Sequence, residues 1–199
     1  MARRSAKTKD AIVQACLDTL RADGFGRTSA RAVARRGGFT QALIYYHFED
    51  LQALLVATLE RASEDRLTRY REALATVGSV VELAAALDEL YREDVETGHV
   101  KAVQEIVGGS SSLPGLGPQV IELLRPWAEF TEETIRRLIA GTPFEALVPA
   151  EDAAFAALAL YMGMETMTHL NGDHAPGDRL LQALQRVAPL ADAIRGASA

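Results

Sequence analysis

The segment that most limits how this chain can fold is an apolar run of twelve residues, 153–164. Drawn as a helix it is apolar all round, so it does not suit a surface helix with one wet face. A helix that spans a membrane needs about 20 such residues, and this run is too short. Both sides must therefore be covered, which we expect to be done by the chain's own core on one side and a second subunit on the other.

Apolar residues elsewhere recur at helical spacing. Ile12, Cys16 and Leu20 stand four residues apart and predict one buried stripe on a first helix that ends before Gly24. The same analysis predicts an all-α fold of about nine helices, in which Pro126 and Pro189 kink or restart their helices. A second, short helix is predicted to end near residue 36. Seven further helices are predicted over residues 41–47, 51–77, 79–97, 100–108, 118–140, 149–170 and 178–194. A flexible loop is predicted over residues 108–118.

Two short helices near the start are joined by glycines. Thr28 or Ser29 can cap the first of them and Thr40 the second, since hydroxyl side chains accept hydrogen bonds from the first turn of a helix. Gly37 and Gly38 supply the positive φ of a tight turn between them. Two short helices held against a longer one predict a helix-turn-helix. The side chains expected beneath it are Val33, Ala34, Phe39, Ile44 and Phe48.

The charge of the chain is unevenly distributed. Residues 1–47 carry nine basic and three acidic side chains, whereas the remaining 152 residues carry 12 basic and 24 acidic ones. A basic head on an acidic body is the pattern expected when only the head contacts phosphates, because Lys and Arg there displace condensed counterions. The alternative is a solvated helical face that happens to be basic.

The side chains that this helix-turn-helix turns outward suit a DNA major groove. Arg31 can pair with guanine, Gln41 with adenine, and Leu43 can meet a thymine methyl group. The candidates for reading bases are Arg31, Thr40, Gln41 and Leu43. The candidates for contacts to the DNA backbone are Lys7, Thr28, Tyr46 and His47. For Tyr46 and His47, and for Tyr45 beside them, the alternative is that aromatic side chains at the end of a short helix close its core.

Two stretches carry a family resemblance: GFGRTSARAVA over residues 24–34, and GFTQALIYYHF over residues 38–48. They resemble the N-terminal signature of TetR-family transcriptional regulators, and the match by motif covers residues 8–55. The resemblance implies a DNA-binding domain over residues 1–49 and a helical domain for ligand binding and dimerisation over residues 50–199. It also implies a contact of Tyr45 to the DNA backbone, and a homodimeric repressor that a small-molecule effector releases from a palindromic operator.

One departure from the family pattern lies at the start of the fourth helix. Many members carry a lysine where this chain has Leu51, and Glu49 and Asp50 add negative charge beside it. That phosphate contact is therefore expected to be missing. Affinity for DNA is expected to depend instead on a basic arm made of Arg3, Arg4, Lys7 and Lys9.

The resemblance also implies a dimer bundle built from the last two long helices of each subunit. Small residues on the apolar run permit close packing, and the expected interface residues are Ala156, Ala159, Leu160 and Gly163. Apolar residues on two helices are candidates to enclose a largely apolar ligand. They are Trp127, Phe130, Tyr161, Met162, Met164 and Met167, with Glu105, Glu165 and His169 as polar anchors. The alternative is that these residues form plain core.

Catalytic and metal chemistry find little support in the sequence. His169 and His174 are five residues apart, without further ligands at metal spacing. Ser110, Ser111 and Ser112 lie in a glycine-rich segment that lacks the Gly-x-Ser-x-Gly elbow. We therefore expect no metal, no cofactor and no enzyme activity. The alternatives to a DNA-binding regulator are a helical protein-interaction module and, less favoured, an enzyme.

Cysteine content and the start of the chain bear on its compartment. Cys16 is the only cysteine, so no intramolecular disulfide can form, which fits a reducing compartment; we expect this thiol to be a small buried apolar group. The first residues are charged and do not resemble a secretory signal. We therefore expect a cytoplasmic protein with no membrane partner.

Overall fold

The structure is a computed structural model that describes residues 2–110, 113 and 115–196; for residues 2–4 and 99 it describes the backbone only. Within this part of the chain there are ten α-helices, one 3₁₀ turn at Phe25–Arg27 and no strand, which confirms the predicted all-α fold. The helices are α1 (Ala2–Asp23), α2 (Ala30–Gly37), α3 (Gln41–His47), α4 (Leu51–Leu74), α5 (Val80–Glu96), α6 (His99–Gly109), α7 (Leu116–Ile139), α8 (Pro143–Leu147), α9 (Ala150–Asn171) and α10 (Ala175–Gly196).

One helix, α8, was not predicted. Its N-cap is Thr142, whose Oγ1 accepts a hydrogen bond of 3.2 Å from the N–H of Phe144, and Pro143 occupies its first position. Five residues are too few for an apolar period to show in the sequence. A flexible loop was predicted over residues 108–118, of which residues 111, 112 and 114 lie outside the described part. Helix α6 ends at Gly109 and α7 begins at Leu116, so both helices enter the predicted loop.

The sequence predicts that Pro126 and Pro189 kink or restart their helices. Neither proline restarts a helix, and a kink at either position stays a prediction. Both lie inside continuous helices, α7 and α10. A proline in a helix removes one backbone donor and leaves the carbonyl four residues earlier without it. Both prolines are exposed. No helix in the described part of the chain combines the length and apolarity needed to cross a membrane.

The chain divides into two compact units, residues 1–66 with 97–123 and residues 67–96 with 124–199. This division differs from the predicted domain boundary at residue 49. The reason is that α6 and the start of α7 supply core side chains to the N-terminal unit, among them Ile106 and Leu116. Residues 1–49 as a separate DNA-binding domain therefore stay a prediction.

The core of the N-terminal unit is built on the predicted stripe of α1. Ile12, Cys16 and Leu20 are fully buried and cluster with Val33 of α2 and Ile44 of α3. Burial raises the pKa of the Cys16 thiol to about 11, although a hydrogen bond with Thr58 acts in the opposite direction. The interpretation of Cys16 as a buried apolar thiol is confirmed.

In the C-terminal unit, α5 packs along α10. The carboxylate of Asp192 accepts hydrogen bonds from the N–H groups of Val80 and Val81, at 2.8 and 3.0 Å. These donors belong to the first turn of α5, where no intrahelical carbonyl is available. Arg195 donates to the carbonyl of Gly78 at 3.0 Å. The end of α10 therefore caps the beginning of α5.

A buried carboxylate lies beside the apolar cluster of the same unit. Asp94 is fully buried and accepts hydrogen bonds from Tyr70 Oη at 2.9 Å and from Arg69 Nη2 at 2.8 Å. Arg69 also forms an ion pair of 2.6 Å with Glu93, whose side chain is exposed. The ring of Tyr70 meets Trp127 edge to face at a centroid distance of 5.1 Å. Asp94 thus holds α4 against α5.

Replacing Asp94 tests this arrangement. We expect Asp94→Ala to lower the free energy of unfolding by about 3 kcal/mol, because Arg69 and Tyr70 lose the buried carboxylate to which both donate hydrogen bonds. Glu93→Ala removes the exposed carboxylate on the same arginine and should cost less than about 1 kcal/mol. Urea denaturation measures both. Equal losses for the two variants would contradict the assignment.

Candidate nucleic-acid interface

The first short helix of the pair, α2, has defined ends. Ser29, and not Thr28, is its N-cap, with Oγ accepting the N–H of Ala32 at 3.2 Å. At the other end Gly38 adopts φ 71°, and its N–H donates to the carbonyl of Ala34. A left-handed residue after a helix is the usual glycine stop. The chain therefore leaves α2 in a sharp turn.

The two glycines of this turn have different roles. Gly38 has the predicted positive φ, but Gly37 does not, so that part of the prediction is wrong. Gly37 is instead required for space, because a Cβ there would lie 1.9 Å from the ring of Phe39. Phe39 is half-buried and packs against the core of the unit. The tightness of the turn thus depends on an aromatic ring lying over a glycine.

The second short helix, α3, is fixed by its inner face. Thr40 is its N-cap, as predicted, and its Oγ1 accepts the N–H of Leu43 at 3.3 Å. Ile44 is fully buried, and Phe48, also buried, donates its N–H to the carbonyl of Ile44 at 2.8 Å. With Ile44 and Phe48 inside the core, the opposite face of α3 lies on the surface.

Most of the predicted DNA-contacting side chains are on the surface. Arg31, Thr40, Gln41 and Lys7 are exposed. Tyr45 and Tyr46 are 53% and 81% exposed, which excludes the alternative that these two tyrosines close the core. His47 is half-buried, with its ring 5.0 Å from that of Tyr46 in an edge-to-face arrangement.

Two of the predicted contacts are less accessible. Leu43 is half-buried and packs against the core, so the expectation that it faces outward is met only in part. Thr28 is buried, and its hydroxyl donates to the carbonyl of Gly24 at 2.8 Å. Both side chains serve the packing of the unit, and their contacts to DNA stay predictions.

Sequence reasoning did not separate the arginines of this region by role. Arg36 donates to Thr19 Oγ1 at 3.1 Å and to Asp23 Oδ2 at 2.8 Å, which ties α2 to α1. Arg31 and Arg35 are exposed and lie one helical turn apart on α2. The spacing of four residues places these two on one face, whereas the partners of Arg36 are distant in sequence.

The basic arm is described only in part. The side chains of Arg3 and Arg4 lie outside the described residues. Lys9 has its Nζ 5.4 Å from the centre of the Phe48 ring, within the range of a cation–π contact. The cation of Lys9 is thereby held beside the end of α3.

A comparison with protein families decides what this helix-turn-helix is. Residues 7–58 match the family model described as bacterial regulatory proteins, tetR family. This chain carries a TetR-family N-terminal domain. The match includes all of α2 and α3, and it confirms the resemblance predicted from the sequence.

Solved structures share the fold over most of the chain. A protein from Rhodococcus sp. assigned to the TetR family has a TM-score of 0.75 at 17% identity, covering 92% of this chain and 98% of that one. The regulatory protein TetR from Rhodobacter sphaeroides has a TM-score of 0.73 at 15% identity, covering 89% and 95%. The transcriptional regulator FadR from Bacillus subtilis, solved with stearoyl-CoA, has a TM-score of 0.72 at 13% identity, covering 89% and 96%. At these identities the likeness establishes a TetR-like fold.

The departure from the TetR pattern at residue 51 has a structural explanation. Leu51 is half-buried and packs against the core of the N-terminal unit. Asp50, beside it, caps α4 by accepting the N–H of Ala53 at 2.7 Å. The carboxylate of Asp50 therefore lies on the positive end of a helix, which offsets part of its charge. Glu49 remains exposed.

The predicted ligand-binding residues belong to both units, and their contacts to a ligand stay predictions. Glu105 belongs to the N-terminal unit, where its Oε2 accepts the N–H of Phe25 at 2.6 Å. The others belong to the C-terminal unit, where Trp127 and Phe130 pack on the apolar cluster around Tyr70. The remaining predicted residues lie on α9; Tyr161, Met162 and Met164 are half-buried, Glu165 is buried, and Met167 and His169 are exposed.

Glu165 of α9 lies beside a buried tyrosine of α5, Tyr91, that the sequence analysis did not single out. Glu165 is buried near Tyr91 of α5, and burial together with the negative charges of Glu165 and Asp178 raises the pKa of the Tyr91 phenol to about 12. A Cβ at Gly177 would lie 2.9 Å from Tyr91 Oη and 3.4 Å from Met164 Sδ. Tyr91 is distant in sequence from all of these residues, and no local pattern points to it.

The last two long helices expose apolar side chains. On α9, Phe155 and Met167 are 75% and 69% exposed, and the predicted interface residues Ala156, Ala159, Leu160 and Gly163 are also exposed. On α10 the exposed apolar side chains are Leu180, Val187, Leu190 and Ile194. Large apolar groups gathered on two neighbouring helices mark a surface suited to association.

The division of roles among the arginines of α2 can be tested on stability. We expect Arg36→Ala to lower the free energy of unfolding by about 1 kcal/mol, because Thr19 and Asp23 lose their contacts to α2. Arg35→Ala, the exposed neighbour, should change it by less than about 0.5 kcal/mol. Urea denaturation gives both values, and a reversed order would show that Arg36 does not tie α2 to α1.

Proposed function

We propose that this chain is a sequence-specific DNA-binding transcriptional regulator: a homodimeric repressor that leaves a palindromic operator when it binds a small, largely apolar ligand. The observation that carries this proposal is the exposed face of α3 on a TetR-family helix-turn-helix, with Ile44 buried on the inner side and Gln41 and Tyr46 on the outer side.

Base reading is assigned to residues at the start of α3 and on α2. Gln41 can donate and accept hydrogen bonds at one adenine, and Arg31 can donate two to one guanine. Thr40 and Leu43 complete the set of base contacts. Lys7, Thr28, Tyr45, Tyr46 and His47 contact the DNA backbone and set the register.

Dimerisation is assigned to the exposed apolar faces of α9 and α10. Leu160 and Leu190 would each lose solvent contact against a second copy, and the alanines and Gly163 allow the helices to approach closely. Two recognition helices related by a twofold axis match an inverted repeat, because half-site spacing in DNA mirrors the symmetry of the protein.

Ligand binding is assigned to the C-terminal unit. Its aromatic side chains Trp127 and Phe130 and the half-buried Tyr161 and Met164 provide apolar surface, and Glu165 provides a polar group. FadR from Bacillus subtilis, which shares the fold, was solved with stearoyl-CoA, a molecule with a long apolar chain. A ligand that prefers the conformation unable to span both half-sites lowers operator affinity.

A selection of bound duplexes from a random DNA pool tests the proposal. We expect an enriched inverted repeat, and binding to random duplex DNA that weakens steeply as salt rises. Gln41→Ala should cost about 1–3 kcal/mol at one base position and relax the preference there. Gln119→Ala, an exposed glutamine on α7, should leave the preference unchanged.

Absence of DNA binding at low salt would instead favour the helical protein-interaction module. Once an operator is known, a screen for small molecules that release it tests the ligand assignment.

The dimer is tested by a charge on the apolar face. In the part of the chain that the structure describes, no atom other than those of the adjacent residues and the α9 backbone lies within 4 Å of a Cβ at Gly163. Gly163→Arg therefore fits the protomer but places a charge on the proposed interface. We expect it to be a monomer by light scattering, with operator affinity reduced at least about tenfold. Gly163→Ala, which keeps the face small and apolar, should stay a dimer. A dimeric Gly163→Arg that binds operator normally would place the interface elsewhere.

A further inference from the structure

A hydrogen bond ties α6 to the turn that precedes α2. Glu105 Oε2 accepts the N–H of Phe25 at 2.6 Å, across 80 residues of sequence. Phe25 opens the 3₁₀ turn after Gly24, which has φ 77°, so its N–H is among the donors that a helical turn leaves without an internal acceptor. A carboxylate bound to such a donor makes a stronger hydrogen bond than a neutral acceptor does.

An aromatic contact reinforces this bond one turn further along α6. A Cβ at Gly109 would lie 2.4 Å from two atoms of the Phe25 ring, a distance that real side chains do not reach. The ring therefore rests directly on the backbone of α6. At Gly108, the preceding residue of the same helix, a Cβ would have no atom of the described residues within 4 Å, apart from its chain neighbours and the helix backbone. A methyl group would therefore clash with the Phe25 ring at Gly109 but not at Gly108.

The turn held in this way leads directly into the DNA-binding helices. Thr28 donates its N–H to the carbonyl of Phe25 at 3.0 Å and its hydroxyl to the carbonyl of Gly24 at 2.8 Å. The next residue, Ser29, caps α2, which carries Arg31. The path from α6 to α2 therefore runs through these hydrogen bonds and then through the peptide bond from Thr28 to Ser29.

We propose that Glu105 and Gly109 are positioning residues for DNA binding, acting through Phe25 on the placement of α2. The proposal rests on the proposed function, since it requires that α2 and α3 bind DNA. It gives Glu105 a role in operator binding; the ligand contact predicted from the sequence stays a prediction.

The neighbouring glycines of α6 provide a matched test. We expect Gly109→Ala to lower operator affinity about tenfold, because its methyl group displaces the Phe25 ring. Gly108→Ala should bind as the original protein does. Alanine favours helix over glycine at either position, so neither variant is expected to lose helix content. Displacing the Phe25 ring costs Gly109→Ala some stability, but the variant is expected to stay folded without urea. Operator affinity is measured by fluorescence anisotropy and stability by urea denaturation.

Two further variants distinguish positioning from packing. The double variant Phe25→Leu with Gly109→Ala should bind no more weakly than Phe25→Leu alone, since a smaller side chain removes the clash. Glu105→Gln keeps an acceptor oxygen and should lose less affinity than Glu105→Ala. Glu60→Ala, an exposed carboxylate on α4, is the control and should lose none.

The outcomes separate the two proposals. If the unmodified protein binds no DNA sequence, the proposed function fails. If it binds an operator and Gly109→Ala binds equally well, the positioning role alone is overturned. A fall in affinity that the fraction of unfolded Gly109→Ala protein accounts for would also overturn it, because that result assigns Gly109 to stability and not to the placement of α2.

Discussion

Burial of one stripe of α1 holds the N-terminal unit together. Ile12, Cys16 and Leu20 lie in a single core cluster with side chains of α2, α3, α4, α6 and the start of α7. Apolar area removed from solvent is the main favourable contribution to such packing. Because this core fixes α3 through Ile44, the other side of α3 needs no packing role. The exposed side chains available for DNA contact are a consequence of that division.

Local signals in the sequence were sufficient for nine of the ten helices in the described part of the chain; the five-residue α8 was missed. Ser29, Thr40 and Asp50 cap helices through hydrogen bonds to residues three positions away, so composition over a few residues carries the information. Gly37 shows the limit of this reasoning. Its position suggested a positive φ, but its role depends on where the ring of Phe39 lies, which is a matter of tertiary packing.

The candidate site was predictable where it depends on one helix face and not where it depends on distant contacts. Tyr46 was correctly expected on the surface, since α3 has one apolar side only. Glu105 and Arg36 gained their roles from partners far along the chain, Phe25 and Asp23. Charge and spacing alone do not reveal such partners. The same holds for Tyr91, which reaches Glu165 only through the packing of α5 against the last two helices.

The single thiol of the chain has a use that follows from its environment. Cys16 is fully enclosed and its pKa is raised by burial to about 11, so at neutral pH it is neither accessible nor ionised. Thiol reagents attack the thiolate, and they reach it only when the surrounding helices separate. The rate at which Cys16 is alkylated therefore reports how often the N-terminal core opens, and no residue has to be introduced to measure it.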